Sequence, residues 1–431
     1  MEIGGAKVKA ITPPQPMLST DDVDALVTRV HDQFRACNFR PSTDYQYTVL
    51  AAFVLQYNEL KVVSSLATGA KCLPIARYPP RGDTLHDSHA EVLARRAFVR
   101  WLYEESQRSM HASNGSQWIE RCAEGKWRLK EDVKLHMYIS TVPCGDASMR
   151  FLASSQDPAM AALKDSAPPV APPPGAASRG RNNYSLYGVL RTKPGRADSP
   201  PTLCMSCSDK IAAFNVLGIQ GSLAGNIFEP IYLDSIIIGD VPEELRDPVR
   251  EDCERAFYGR LDALTGLPDS YRLAKPTLHF TNINFIYSRS ALQALRPDNP
   301  PPPSSNESLC WTADSPNDNN QEVIINGIRR GIGAKQRGLE KYRPRLCKLQ
   351  LFRLYEETSR ILDLPTFASG TTYHDAKQSN SHFQIARSAL KGPTGPFAGW
   401  LVSGKKWESF DVEGNIFEDS TIDPTPSPAK D

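Results

Sequence analysis

The chain has 431 residues, of which 40% are apolar and 23% charged. This composition is that of a folded globular protein with enough apolar side chains for a large core, and it excludes a chain that is disordered throughout. The formal net charge is only +1, so contact with nucleic acid must depend on a local cluster of basic side chains rather than on the charge of the whole molecule.

The cysteine pattern and the lack of long apolar runs limit where the protein acts. Nine cysteines, an odd number, are spread from Cys37 to Cys347, which favours reduced thiols or metal ligands over a disulfide scaffold. The N-terminal residues lack the charged start and apolar run of a signal peptide, and no stretch reaches the roughly 18 uninterrupted apolar residues of a membrane helix. We therefore expect a protein of the cytoplasm or the nucleus with no membrane partner.

The predicted elements alternate between helix and strand along the chain. Apolar residues at helical spacing predict a first helix over residues 21–38, with a cap among Ser19, Thr20 and Asp21. Runs rich in β-branched and aromatic residues predict the strands. Further predicted elements are strands at 47–55, 61–68, 135–142 and 231–238, a helix at 209–217, and one long or two short helices at 242–264. This alternation predicts an α/β domain of three layers, with a central sheet between helices.

Two proline-rich segments interrupt this pattern, at residues 154–183 and 296–320. Proline removes backbone donors and the other residues are too polar to bury, so neither segment is predicted to form a helix or a central strand. We interpret both as flexible insertions, and residues 1–20 and 416–431 as a flexible N-terminus and a disordered tail. Residues 21–415 then form a single domain.

The tripeptide His89-Ala90-Glu91 directly precedes an apolar helical face that starts at Val92. Both polar residues therefore fall in the first turn of an amphipathic helix, where the helix dipole favours a metal-bound anion. By itself the tripeptide is more often an ordinary polar helix start. The tripeptide indicates a metal site only if other candidate ligands accompany it.

Cysteines supply those candidates. Cys144 follows the predicted strand 135–142, and Cys204 and Cys207 precede the predicted helix 209–217. Open α/β sheets bind ligands at the carboxyl ends of strands, although a small buried Cys at a turn is the ordinary alternative. One His and two Cys make up the ligand set of a catalytic zinc site that keeps a fourth position for water. A carboxylate that is not a ligand must then move the proton, and Glu91 is placed for that role.

Four ordered strings carry a family resemblance. They are Asp87 to Glu91 with Arg95 and Arg96; Pro143 to Ala147; Arg191 to Gly195; and Met205 to Lys210 continued through Gly218 to Gly221. They closely resemble the eukaryotic editing-deaminase family, the ADARs and the related tRNA adenosine deaminases, over most of the chain. The resemblance implies a cytidine-deaminase-like fold, zinc ligation by His89, Cys144 and Cys207, and hydrolysis of adenosine to inosine with Glu91 as proton shuttle. Cys204 would be a bystander.

The resemblance also implies a buried inositol hexakisphosphate, around which C-terminal elements enlarge the domain. The matching residues are Arg95, Arg96, Lys210, Gln220, Lys348, Tyr373, Lys377, Arg387 and Trp400. Clustered cations cannot be buried without a compensating anion, although scattered Lys and Arg are usually solvated surface charges. Asp87 and Lys210 are implied to link the polyanion to Cys207. Two family positions differ, because Ala213-Phe214 replaces an Arg-Trp pair and Phe383 replaces a Tyr.

The length of the chain and of one loop bear on the RNA substrate. About 40 residues precede the family resemblance, too few for a double-stranded-RNA-binding domain, and only residues 194–204 separate Lys193 from Met205, where ADARs carry a duplex-invading loop. An unpaired adenosine costs less to extrude, so we expect tRNA as substrate, at the adenosine immediately 3′ of the anticodon of tRNA-Ala. Nothing indicates an obligatory protein partner. Candidate phosphate contacts are Lys71, Arg77, Arg81 and Arg150.

Three other functions stay open at this point. ADAR-like editing of double-stranded RNA uses the same chemistry, and a cytidine deaminase would share the zinc site while differing in the shape of the base pocket. A catalytically silent protein that binds RNA or inositol phosphate is the third. The presence of all three metal ligands together with Glu91 argues against it.

Overall fold

The computed structural model describes residues 18–154, 172–173, 175–180, 184–195, 199–314 and 320–417. The α-helices within these ranges are α1 (Thr20–Ala36), α2 (Ala90–His111), α3 (Met149–Ser154), α4 (Cys207–Leu217), α5 (Gly221–Ala224), α6 (Arg246–Phe257), α7 (Arg289–Leu295), α8 (Lys348–Ile361), α9 (Tyr373–Ala376) and α10 (Ser381–Lys391). The strands are β1 (Leu50–Tyr57), β2 (Leu60–Thr68), β3 (Ala70–Cys72), β4 (Asp87–His89), β5 (Ile119–Arg121), β6 (Trp127–Leu129), β7 (Val133–Ile139), β8 (Ser178–Arg179), β9 (Arg191–Thr192), β10 (Ser235–Ile238), β11 (Thr277–Phe280), β12 (Glu307–Thr312), β13 (Gln321–Ile325) and β14 (Ile328–Arg329).

The main sheet is mixed. Its strand order is β11-β10-β7-β1-β2-β12-β13-β14 among the described residues. β1 lies antiparallel to β2 and β7, whereas β10 lies parallel to β7 and β11. The segment that carries Cys144 follows the carboxyl end of β7, in the parallel part of the sheet, where α/β folds place their ligands.

Helices cover both faces of this sheet. Successive residues of a strand point to opposite faces, and Phe53 of β1 stacks on Phe98 of α2 with ring centroids 5.2 Å apart. Ala52, the preceding residue of β1, is paired with Tyr138 of β7, whose hydroxyl lies 2.9 Å from His31 Nε2 of α1. The predicted α/β arrangement, a central sheet flanked by helices, is therefore confirmed. Within the described ranges no helix has the length and apolar character needed to span a membrane.

Most predicted elements occur with shifted ends. The first helix begins at Thr20, and Ser19 caps it by accepting a hydrogen bond from the backbone N–H of Asp22. The region 242–264 holds one α-helix, α6, between 3₁₀ turns at Glu243–Leu245 and Gly259–Leu261. The helix predicted from residue 209 begins two residues earlier, at Cys207.

The prediction of a flexible insertion at residues 296–320 is wrong for its central part. Glu307–Thr312 forms β12, which is buried along its whole length and hydrogen-bonded to β2 on one side and β13 on the other. The run Ser308-Leu309-Cys310-Trp311-Thr312 favours a strand, but the Pro, Asn and Asp residues on both sides obscure it. Residues 315–319, and most of the insertion predicted at 154–183, lie outside the described residues.

The ends of the predicted domain need small adjustments. Of the predicted tail, Ile416 forms a bridge with Phe410 and the N–H of Phe417 donates to the carbonyl of Ser409, so the ordered chain extends beyond residue 415. Residues 1–17 and 418–431 lie outside the described ranges.

Candidate metal centre and basic cavity

His89 is held at the junction between strand and helix. β4 ends at His89, which is the N-cap residue of α2, and its Nδ1 lies 2.9 Å from Oδ1 of Asp87. Donation from Nδ1–H to this carboxylate leaves the lone pair of Nε2 for a metal ion, and it fixes the orientation of the ring. This arrangement suits a metal-binding histidine with a supporting carboxylate.

Cys144 and Cys207 meet where β7 is followed by a loop and α4 begins. The backbone N–H of Cys207 donates to Sγ of Cys144 at 3.4 Å. Gly145 permits this approach, because its φ is +114° and a Cβ there would lie 2.2 Å from Oγ of Ser206. Two strings that lie about 60 residues apart in the sequence are thus brought together by one glycine turn.

The three predicted ligands form one group. Hydrogen bonding to Cys207, helped by the positive charge of Lys193, holds the pKa of Cys144 well below its ordinary value, and Cys144 is also hydrogen-bonded to His89. A thiolate, a second thiol and an imidazole in contact form the donor set that Zn²⁺ prefers. The residues therefore fit a zinc ion.

Glu91 is buried beside these ligands. Its side chain belongs to the first turn of α2, the residue is 4% exposed, and its Oε2 has no hydrogen-bond partner among the described residues. Burial, followed by the negative charge of Cys144, raises the pKa of Glu91. A carboxyl group in this state readily takes up and releases a proton.

Lys193 takes part in the site although the sequence analysis assigned it no role. Its Nζ lies 2.9 Å from Oδ2 of Asp87 and 3.2 Å from Sγ of Cys207, and Lys210 also donates to Asp87. Although burial opposes ionisation, Lys193 and Lys210 hold the pKa of Asp87 well below its ordinary value. The predicted contact between Asp87 and Lys210 is present, and Lys193 completes the path to Cys207. The sequence signal for this role was the position of Lys193 within the string Arg191 to Gly195, one of the four that carry the family resemblance.

A second group of potential ligands lies on the Asp87 side of His89. Single donor atoms of Cys72, Asp87 and Cys204 lie within 4.8 Å of one another. Asp87 already accepts hydrogen bonds from two ammonium groups, so a cation bound there would face positive charge at short range. Lys193 also lies 3.2 Å from Sγ of Cys207, so nearby positive charge does not separate the two groups. His89, Cys144 and Cys207 fit a zinc ion better because they offer one imidazole and two sulfurs, the donor set of a catalytic zinc site.

A cavity of about 760 Å³ lies beyond Asp87 and Lys210. It is lined by residues of α2, α4, α5, α8, α9 and α10 and by the segment around residue 400. All nine residues predicted to contact inositol hexakisphosphate line it: Arg95, Arg96, Lys210, Gln220, Lys348, Tyr373, Lys377, Arg387 and Trp400. The structure thus brings together residues that are up to about 300 positions apart in the sequence.

Positive charge dominates the cavity. Among the residues that the structure describes, its lining contains seven Lys and Arg side chains but two carboxylates, Asp87 and Glu408. Glu408 is held by Lys348 at 2.9 Å and Lys377 at 2.6 Å, and despite burial these two cations lower its pKa to about 2. Burial and the adjacent Arg96 lower the pKa of Arg95 to about 10. The excess positive charge fits a polyanion.

The four candidate RNA contacts differ in their surroundings. Arg77 and Arg81 are exposed, and with the half-buried Lys71 they belong to the chain that leads into β4 and α2. Arg150 instead pairs with Glu251 at 2.9 Å and Asp252 at 2.7 Å. Phosphate would have to compete with these two carboxylates.

Comparison with known proteins gives consistent matches. Residues 65–403 match the adenosine-deaminase (editase) domain family. The chain is 34% identical to tRNA-specific adenosine deaminase 1 of Schizosaccharomyces pombe, over 83% of this chain and 88% of the relative. It is 32% identical to the protein of the same name from Drosophila melanogaster, over 74% and 79% of the two chains. It is also 35% identical to the double-stranded RNA-specific editase Adar of Drosophila melanogaster, but over 53% of this chain and 34% of that relative.

Proposed function

Because the chain belongs to the adenosine-deaminase (editase) family, we propose that it catalyses the zinc-dependent hydrolysis of adenosine to inosine in tRNA. The observation that carries the proposal is the contact of Cys144 with both His89 and Cys207, next to the buried carboxyl group of Glu91. Bound zinc would lower the pKa of a water molecule enough to make it a nucleophile near neutral pH. His89, Cys144 and Cys207 are the residues that would hold it.

Three side chains of the protein orient the ligands and transfer the proton. Asp87 orients the imidazole of His89, and Lys193 donates to the sulfur of Cys207 and stabilises its thiolate form. Glu91 takes a proton from the attacking water and delivers it to the amino group on C6 of adenine, which leaves as ammonia. Its raised pKa suits a group that must hold this proton between the two transfers.

The basic cavity supports a structural inositol hexakisphosphate. Seven cations that face two carboxylates across one cavity repel one another unless an anion compensates them. A ligand with six phosphate groups supplies many negative charges in the volume of one small molecule. The path Lys210–Asp87–Lys193–Cys207 then leads from this ligand to the metal centre.

The relatives support tRNA over duplex RNA. The two proteins named as tRNA-specific deaminases match over most of both chains, whereas the editase matches over about a third of its own length. We propose the adenosine immediately 3′ of the anticodon of tRNA-Ala as the target, since an unpaired loop base costs less to extrude. Lys71, Arg77 and Arg81 are the favoured phosphate contacts. Editing of double-stranded RNA is the second candidate, and the 35% identity to the editase favours it.

The test is inosine formation by the purified protein on a tRNA-Ala transcript and on a long RNA duplex, read by sequencing. Inosine only beside the anticodon is expected, and editing throughout the duplex would instead support the second candidate. Conversion of cytidine to uridine, scored in the same reads, would overturn the choice of base.

Glu91→Ala is the matched variant for this assay. It should keep its zinc while inosine formation falls by at least about a hundredfold, because the proton shuttle is lost. Zinc content is measured on the same samples. Substantial remaining activity would remove Glu91 from its role, and bound zinc with no turnover of the wild-type protein on any RNA would support the silent binding protein.

A further inference from the structure

Lys391 is a cation of the basic cavity that none of the sequence motifs includes. It is the last residue of α10, its side chain lines the cavity, and its Nζ lies 3.4 Å from the centroid of the Trp400 ring. No carboxylate of the described residues forms an ion pair with it. The charged groups that act on Lys391 are the cations Arg387, Lys210, Lys377 and Arg95.

This environment is unfavourable for an ammonium group unless an anion is present. Burial, together with those four cations, holds the pKa of Lys391 well below its ordinary value. The contact with the Trp400 ring compensates only in part, because a cation–π contact is weaker than the hydration that an ammonium group loses. The two carboxylates of the cavity are already bound to other lysines.

Packing explains how Lys391 reaches this wall of the cavity. α10 packs on α4 through a hydrophobic cluster that contains Ala213, Phe383, Ala386 and Leu390. The small side chain of Ala213 lets α10 approach, and Lys391 follows Leu390 directly. Ala213 and Phe214 also line the cavity, at the positions where the family resemblance predicts an Arg-Trp pair. One wall of the cavity therefore lacks an arginine, while the end of the adjacent helix contributes a lysine.

We propose that Lys391 binds a phosphate group of the polyanion in this cavity and, with Trp400 beneath it, supplies positive charge that the Ala213 position does not. The inference rests on the proposed inositol hexakisphosphate cofactor and adds a ligand to the nine predicted from the sequence. The ammonium group donates to phosphate oxygens, and the indole ring beneath Nζ holds that group in place.

The test is the exchange rate of bound ligand in the purified holoprotein, measured with isotopically labelled inositol hexakisphosphate. Lys391→Met keeps an unbranched apolar side chain of similar length but removes the ammonium group, and Lys391→Arg keeps the charge. We expect exchange to be about tenfold to a hundredfold faster in Lys391→Met and close to wild type in Lys391→Arg. Lys406→Met is the matched control, because Lys406 is exposed and its Nζ also lies near an indole ring, 5.1 Å from the centroid of Trp407.

The outcomes separate this inference from the proposal on which it rests. Exchange in Lys391→Met at the wild-type rate, or equally fast exchange in Lys391→Met and Lys391→Arg, would show that the charge of Lys391 does not bind the ligand. If wild-type protein releases no inositol phosphate on denaturation, the proposed cofactor itself is wrong. A crystal structure of the wild-type holoprotein tests the inference without any variant: Nζ within about 3.2 Å of a phosphate oxygen supports it, and a larger separation overturns it.

Discussion

The metal centre and the basic cavity share Asp87 and Lys210, but they are built on different principles. In the metal centre each ligand lies at a strand end or a helix start, and His89, Cys144 and Cys207 have partners within the protein. In the cavity, residues from the whole length of the domain meet, and cations far outnumber carboxylates. Local backbone geometry therefore brings the candidate metal ligands together, whereas the excess positive charge of the cavity fits a bound polyanion.

The two regions are joined by one hydrogen-bonded path. Lys210 lines the cavity and donates to Asp87, Asp87 accepts from Lys193, and Lys193 donates to the sulfur of Cys207. A change in the charge of the cavity therefore bears on Cys207, a proposed zinc ligand, through the partly exposed ammonium group of Lys210 and the buried one of Lys193. Variants that alter just one of the two regions test whether the metal centre and the cavity act independently.

The largest effect is expected from loss of a metal ligand. Cys207→Ser should lose zinc and all inosine formation, because a hydroxyl group is a much weaker zinc ligand than a thiolate. Zinc is measured by elemental analysis of the purified protein. Cys204→Ser is the matched control, since Cys204 belongs to the group with Cys72 and Asp87 and should keep its zinc. The reverse result would place the metal in that second group.

The proximity of the candidate metal ligands was predictable because short sequence strings contain them. His89, Glu91, Cys144 and Cys207 each stand next to a recognisable strand or helix boundary, so their order along the chain already indicates their meeting point. Lys193 is a single lysine within a string, and only its distances to Asp87 and Cys207 reveal its role. Its burial depends on contacts that no local pattern encodes.

The cavity and strand β12 could not be predicted from local sequence, because both depend on packing between distant segments. The nine cavity residues came from the family resemblance, and Lys391 escaped notice because its position depends on how α10 packs against α4. β12 was mistaken for part of a loop, since its flanking prolines and polar residues dominate the local composition. Its conformation depends on pairing with two strands: β2, which lies far earlier in the chain, and β13, which follows it.

An intermediate effect is expected when the cavity loses charge. Lys377→Ala combined with Arg387→Ala should lower the melting temperature by about 5 °C or more and reduce the inositol phosphate content, because the polyanion loses two partners. Melting and ligand release are measured on the same protein. The control Arg337→Ala with Lys341→Ala removes the same charge from exposed positions. Unchanged melting together with unchanged phosphate content in the cavity variant would contradict the buried cofactor.

The smallest effect concerns exposed cations, which need no compensating anion because water solvates them. Arg77→Ala with Arg81→Ala should weaken tRNA binding several-fold and reduce the slope of log affinity against log salt by up to about 2, since two phosphate contacts are lost. Arg150→Ala should leave that slope unchanged, because Glu251 and Asp252 already hold its guanidinium group. Binding is measured at several salt concentrations. A reduced slope for Arg150→Ala alone would show that RNA displaces these two carboxylates, and the phosphate-binding surface would then extend past Cys144 to α3.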